Sequence, residues 1–141
     1  MLTATPIYLD YNATSPLRPA AKEAMIAALG APSNPSSVHK FGREARLQVE
    51  TARQKIACLI GGRSDEVTFT SGGTEANNLV LSGFNTVIAS RIEHDAVLEA
   101  RRDALLVDVD EMGVIKLDKL AMLLSGLTAE DKKSTLVSVM A

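Results

Sequence analysis

In the stretch TSGGTEANN (Thr70–Asn78), two adjacent glycines stand among hydroxylated side chains, between the apolar runs Val67–Phe69 and Leu79–Leu81. That order reads as a strand, a tight joint and a helix. The first turn of a helix carries backbone N–H groups without intrahelical acceptors and the positive end of the helix dipole, so such a joint is able to hold an anion. Gly72 and Gly73 let a phosphate approach the backbone closely, and Ser71 or Thr74 adds a hydroxyl donor. The alternative is a capped helix start after a glycine turn, and the local pattern leaves both readings open. Neither GxxxxGK(S/T) nor GxGxxG occurs here, so a phosphate at this joint belongs to something other than a standard nucleotide motif.

A second chemical candidate is His94 in SRIEHDAV, at another strand-to-helix joint. An imidazole there is able to stack on a planar cofactor or to move a proton near neutral pH. The alternative is a histidine near a helix start, with Asp95 capping the helix that follows. His39, in SSVHKFGRE, reads as structural or solvated. The acidic segment VDVDEMG matches the first, third and sixth positions of a calcium loop through Asp108, Asp110 and Gly113. Met112 and Lys119 then fall where carboxylates belong, which excludes calcium. One cysteine and two histidines leave no self-contained Cys/His zinc site, and no metal ligand set is expected. Cys58 has no partner for a disulfide and is expected to pack in the apolar stretch IACLI; a reducing compartment fits. The charged run Glu130–Lys133 reads as a solvated loop or helix cap.

The chain has 141 residues, 46% of them hydrophobic, which suffices for one ordinary domain with a real core. A net charge of -2 and 4% aromatic residues give neither the electrostatic footprint nor the stacking platforms that nucleic acid requires. No apolar run is long enough to span a bilayer, and MLTATPIYLDYN lacks a basic start followed by an apolar stretch, so a cytoplasmic protein without membrane contact is expected.

Several elements must position the two joints. Pro19 opens a short helix whose apolar residues are Ala21, Ala24, Met25, Ala28 and Leu29, with Gly30 beyond its end and an irregular passage over residues 30–37. From Arg43, the residues Ala45, Val49, Ala52, Ile56 and Leu59 recur at helical spacing until Gly61-Gly62 stops the helix. Beyond it the pattern alternates: strand 66–70, helix 74–82, strand 86–90, helix 95–102, strand 105–109, a turn at 110–113, a helix near 118–125 and strand 135–140. Such alternation indicates α/β layers around a mainly parallel sheet, in which ligands bind beyond the carboxyl ends of strands. That rule marks the 70–78 joint, the SRIEHD segment and whatever follows Met140.

Four ordered stretches, IYLDYNATSPLRP (7–19), NPSSVHKFG (34–42), VTFTSGGTEANN (67–78) and SRIEHDAVLE (90–99), together resemble the N-terminal part of the cysteine desulfurases of the NifS/IscS type. These belong to the class V aminotransferase group, which uses pyridoxal 5'-phosphate. The resemblance implies a PLP-dependent transferase of fold type I, aspartate aminotransferase-like, with residues 1–42 as an arm and loop of the small domain or active-site entrance. Residues 43–141 would then be the first part of the large PLP-binding domain. It implies that Gly73 and Thr74 bind the cofactor phosphate and that His94 stacks on its ring and takes part in proton transfer. The family's sheet order, 3-2-4-5-6-7-1, implies that the strands near Thr86, Leu105 and Thr135 pair together, while the strand near Glu66–Thr70 lacks its neighbour.

For a complete enzyme the resemblance implies a homodimer that converts L-cysteine to L-alanine. Sulfur passes to an enzyme cysteine and then to an acceptor protein, for iron-sulfur cluster or thio-cofactor synthesis. The family's Schiff-base lysine, its aspartate partner of the pyridine nitrogen and its nucleophilic cysteine have no match here; Cys58, Lys116 and Lys119 do not correspond to them. The chain alone is therefore expected to be inactive and to be a portion of a longer enzyme. A selenocysteine lyase or other class V enzyme, and a non-catalytic module that complements a separate chain, are the alternatives.

Overall fold

The computed structural model describes residues 7–30, 32 and 34–140, so Ala31 and Ser33 of the irregular 30–37 passage lie outside it. Contacts divide the chain into two compact units, Met1–Val67 and Thr68–Ala141.

In the first unit, α1 (Pro19–Ala28) begins with proline at its first turn, as the sequence predicts, and buries none of its residues. α2 (Lys40–Ile60) starts at His39, whose Nδ1 accepts the Gly42 N–H at 3.3 Å, so this histidine is a structural cap. The loop before it is held by the helix: Arg43 Nη1 donates to the Val38 carbonyl at 2.6 Å, and Arg46 Nε to that of Pro35 at 3.2 Å. Gly42 is required by this packing, because a Cβ there would lie 2.1 Å from the Ser37 carbonyl oxygen. α2 ends at Gly61, whose φ of 68° suits glycine, and the Gly62 N–H closes the last turn on the Ala57 carbonyl at 2.9 Å. The buried residues of α2 are Gly42, Ala45 and Ala57, whereas Ile56 and Leu59 of the expected stripe are exposed. Cys58 is exposed as well, against the expectation of a packed thiol. A helix fixes which residues share a face, and only packing decides which face is covered.

Residues 66–70 do not form the expected strand. Ser64–Glu66 is a 3-10 turn, and residues 67–70 join no sheet among the described residues. The pattern of VTFT suits a strand, but a strand exists only where a neighbour completes its ladder.

The second unit is α/β with a parallel sheet of order β2-β1-β3, where β1 is Thr86–Ser90, β2 Leu105–Val107 and β3 Thr135–Ser138. Ile88 pairs with Leu105 on one side and with Val137 on the other, which is the pairing that the family order implies. Central β1 is fully covered from Val87 to Ser90. Leu81 of α3 (Gly73–Ser82) and Val97 of α4 (Asp95–Leu98) join Val87 and Ala89 in the core, with Leu136 packed against them. α5 (Leu117–Ser125) and the exposed charged helix α6 (Ala129–Lys133) precede β3. β2 and β3 are shorter than expected, and Val109 instead forms a lone antiparallel bridge with Ile115.

α4 ends four residues before the expected Arg102, and Arg101 gives the physical reason. Its Nη1 donates to the carbonyls of Leu81 at 2.9 Å and Phe84 at 2.8 Å, and its Nη2 to that of Asn85 at 3.0 Å. Asp103 takes Nε and Nη2 in a bidentate pair, at 2.9 and 3.0 Å. One guanidinium thus caps the carboxyl end of α3 and joins it to the start of β1, and that geometry outweighs continuation of α4. The pairing with Arg101 holds the Asp103 carboxyl below its ordinary titration range. Replacement of Arg101 by alanine leaves these carbonyls without their donor. Chemical denaturation is expected to show a loss of about 2 kcal/mol, with Arg101→Lys intermediate between the two.

Candidate functional site

The start of α3 is an uncapped helix end. Its N-cap is Gly72, no side chain caps it, and the first intrahelical bond runs from the Ala76 N–H to the Gly72 carbonyl at 3.1 Å. The N–H groups of Gly73, Thr74 and Glu75 precede that bond and have no acceptor within the helix. Of the two readings of the 70–78 joint, the one with a Ser or Thr cap is therefore absent from the structure. Glu75 instead reaches back, and its carboxylate accepts the Ser71 N–H at 2.6 Å. A Cβ built on Gly72 or Gly73 would meet no atom within 4 Å, so the space beside this turn is open.

His94 follows β1 at its carboxyl end and is the N-cap of α4. Its Nδ1 accepts the Ala96 N–H at 3.0 Å, so the cap is His94 itself and not Asp95. A nitrogen that accepts is unprotonated, and the proton of the neutral ring is then on Nε2. The approach from β1 is built on Ser90 and Glu93, both buried. The Ser90 hydroxyl donates to Glu93 Oε1 across a long 3.5 Å, and the Glu93 N–H donates to the Ser90 carbonyl at 3.2 Å. Arg91 beside them donates its N–H to the Val107 carbonyl and pairs through Nε with Asp108 at 2.7 Å.

The two joints meet in one cleft of about 410 Å³, lined by Thr74, Asn78, His94, Asp95, Ala96, Glu99 and Ala100. Thr74 and His94 are thus brought together, and Gly73 is the residue immediately before Thr74 at the helix start. The sequence reading did not assign Asn78, whose Nδ2 donates to the Thr74 carbonyl at 2.7 Å. The signal was its position four residues after Thr74, on the same helix face. Asp95 and Glu99 add acidity to the opposite wall, and Glu99 is ion-paired with Arg102. No lysine or cysteine lines this cleft; Lys116 lines a separate depression with Asp110 and Met112. Among the described residues no cluster of His, Cys, Asp or Glu suits a metal ion, and no helix is long and apolar enough to cross a membrane.

A parallel α/β sheet with two helix starts converging beyond it is the arrangement at which open α/β units place their ligands. The profile of one family, Aminotransferase class-V, matches residues 7–140, and the chain belongs to that family. It is 51% identical over 102 residues to a cysteine desulfurase IscS of Dictyoglomus turgidum, a match that covers 66% of this chain and 26% of the relative. It is 53% identical over 76 residues to a selenocysteine lyase of Bos taurus, covering 53% of this chain and 17% of that protein. Among solved structures, a NifS-like protein from Rickettsia africae superposes with a TM-score of 0.84 at 35% identity, over 94% of this chain and 39% of that one. The chain therefore has the fold of part of a NifS-like protein and spans about a quarter of the length of the desulfurase it matches.

The Ser71–Glu75 contact has a pH signature. Hydrogen bonds from the Ser71 side chain and backbone lower the Glu75 carboxyl from its ordinary 4.5. The contact is accordingly complete above that value and is lost as pH falls through the lowered, folded-state value. An NMR titration is expected to show the Ser71 amide moving with the Glu75 carboxyl below pH 4.5, and no such movement in Glu75→Gln.

Proposed function

We propose that this chain supplies the phosphate-holding and ring-facing part of a pyridoxal 5'-phosphate-dependent cysteine desulfurase. The observation that carries this reading is the shared cleft of Thr74 and His94 beside an uncapped helix start. The residues present fit the cofactor's two ends. The N–H groups of Gly73 and Thr74 and the Thr74 hydroxyl are donors for a phosphate, with open space beside Gly72 and Gly73. His94 is exposed, oriented through Nδ1, and offers a ring face and an Nε2 proton. When bound, pyridoxal phosphate supplies an electron sink for bond cleavage at the substrate's α-carbon. In this chain His94 orients that ring and holds or moves a proton at Nε2, while the α3 start neutralises the phosphate charge.

The substrate assignment, L-cysteine with sulfur passed to an acceptor, rests on the relatives. The IscS desulfurase matches a longer stretch of the chain than the selenocysteine lyase does. The lysine and cysteine that the resemblance requires are not in the cleft, so the reading assigns turnover to a longer or complemented protein. A homodimer and a cytoplasmic location belong to the same reading.

Pyridoxamine 5'-phosphate is the suitable probe, since it has no aldehyde to modify surface lysines. Its titration into ¹⁵N-labelled chain is expected to shift Gly72, Gly73, Thr74 and His94, with pyridoxamine lacking the phosphate at least tenfold weaker. Thr74→Val and His94→Ala should each weaken binding about tenfold, equivalent to roughly 1.4 kcal/mol. Shifts confined to other residues would overturn the site. The chain alone is expected to give no sustained alanine from L-cysteine, and turnover by the purified chain would overturn that division of labour.

A further inference from the structure

The two segments that wall the cleft are joined, away from it, by one side chain. The five hydrogen bonds of Arg101 use all five guanidinium N–H donors: Nη1 on the Leu81 and Phe84 carbonyls, Nη2 on Asn85 and Asp103, and Nε on Asp103. The side chain is only 14% exposed, so water competes little for these acceptors. Leu81 lies in the last turn of α3, whose other end carries Gly73 and Thr74. Toward the second wall, the backbone leads from Arg101 to His94 in two steps. The Arg101 N–H donates to the Val97 carbonyl at 3.1 Å, and the Val97 N–H donates to the His94 carbonyl at 2.8 Å.

Between Arg101 and the cleft, Leu81 and Val97 share one core cluster with Ala100 packed against it, and Ala100 lines the cleft with Thr74 and His94. Apolar packing of this kind is non-directional and tolerates sliding. Among the described residues, no other side-chain hydrogen bond or ion pair joins α3 to residues 94–101. The directional tie between the two walls is therefore the guanidinium. A ligand with a phosphate at one end and a ring at the other gains its second contact only where both binding groups are in reach at once.

We propose that Arg101 is a positioning residue for the cofactor: it sets the span between the phosphate donors of Gly73 and Thr74 and the ring of His94. The proposal rests on the pyridoxal phosphate reading of the cleft. Arg101 itself contacts neither end of the ligand and acts through the ends of the two segments.

Two probes separate the span from the fold. Inorganic phosphate needs the α3 start alone, whereas pyridoxamine 5'-phosphate needs both walls. In the ¹⁵N-labelled full chain, Arg101→Lys offers three donors in place of five. It is expected to bind inorganic phosphate within about twofold of the unaltered chain and pyridoxamine 5'-phosphate about tenfold more weakly. The latter probe should still shift Gly73 and Thr74 in this variant, and no longer His94. Asp103→Asn keeps the three carbonyl bonds of Arg101 and is expected to lose about threefold for pyridoxamine 5'-phosphate alone. Should Arg101→Lys lose its dispersed amide spectrum, Asp103→Asn decides by the same comparison. Equal weakening of both probes, or undiminished pyridoxamine 5'-phosphate binding with His94 still shifting, would overturn the proposal while the cofactor reading stands. An unaltered chain in which pyridoxamine 5'-phosphate shifts none of Gly73, Thr74 and His94 would overturn the cofactor reading and the proposal together.

Discussion

Parallel pairing on both sides of β1 is the constraint on which the second unit depends. β1 is the strand that receives hydrogen bonds from β2 and from β3, and its residues Val87 to Ser90 are covered on both faces. Parallel strands need a crossover between them, and the crossovers here are α4 between β1 and β2 and α5 with α6 between β2 and β3. Burying β1 therefore brings α4 to the carboxyl end of the sheet. α3 arrives there by packing Leu81 against Val87 and Ala89. The cleft is a by-product of that packing.

What distinguishes this cleft from a simple joint is where local polar groups are used. His94 satisfies the α4 start through Nδ1 and leaves Nε2 available, so one residue is both a cap and a chemical group. The α3 start is treated the other way: Glu75 reaches to Ser71, and the helix's own first-turn donors stay uncapped. An unfilled donor set at one wall and an oriented imidazole at the other are what the proposed ligand, with an anionic end and a flat body, would require.

The parts of the fold that follow local rules were legible in the sequence. α2 could be read from helical spacing and its glycine stop, α3 from the glycine joint, and β1 from its compact apolar run. The pairing of β1 between β2 and β3 came from the resemblance, since no local pattern encodes strand order. Thr74 and His94 were singled out separately, and only the fold brings them to one cleft. The misses share one cause. Residues 67–70 have strand composition without a neighbour to pair with, Cys58 has apolar flanks without a surface to cover it, and α4 stops because of acceptors 16 to 20 positions away from Arg101. Each depends on what stands across from the residue.

Arg101 grips α3 at the end opposite its free donors. Ten residues of helix form a lever of about 15 Å. A tilt of about 10° at the gripped end swings the glycine end by roughly 2.5 Å, most of a hydrogen-bond length. The position of the α3 start, where the proposed phosphate donors lie, is thus governed from the far side of the helix by a residue that never approaches it. For the proposed site, mutations around Arg101 and Asp103 would act as defects of aim, with the side chains of the cleft still in place.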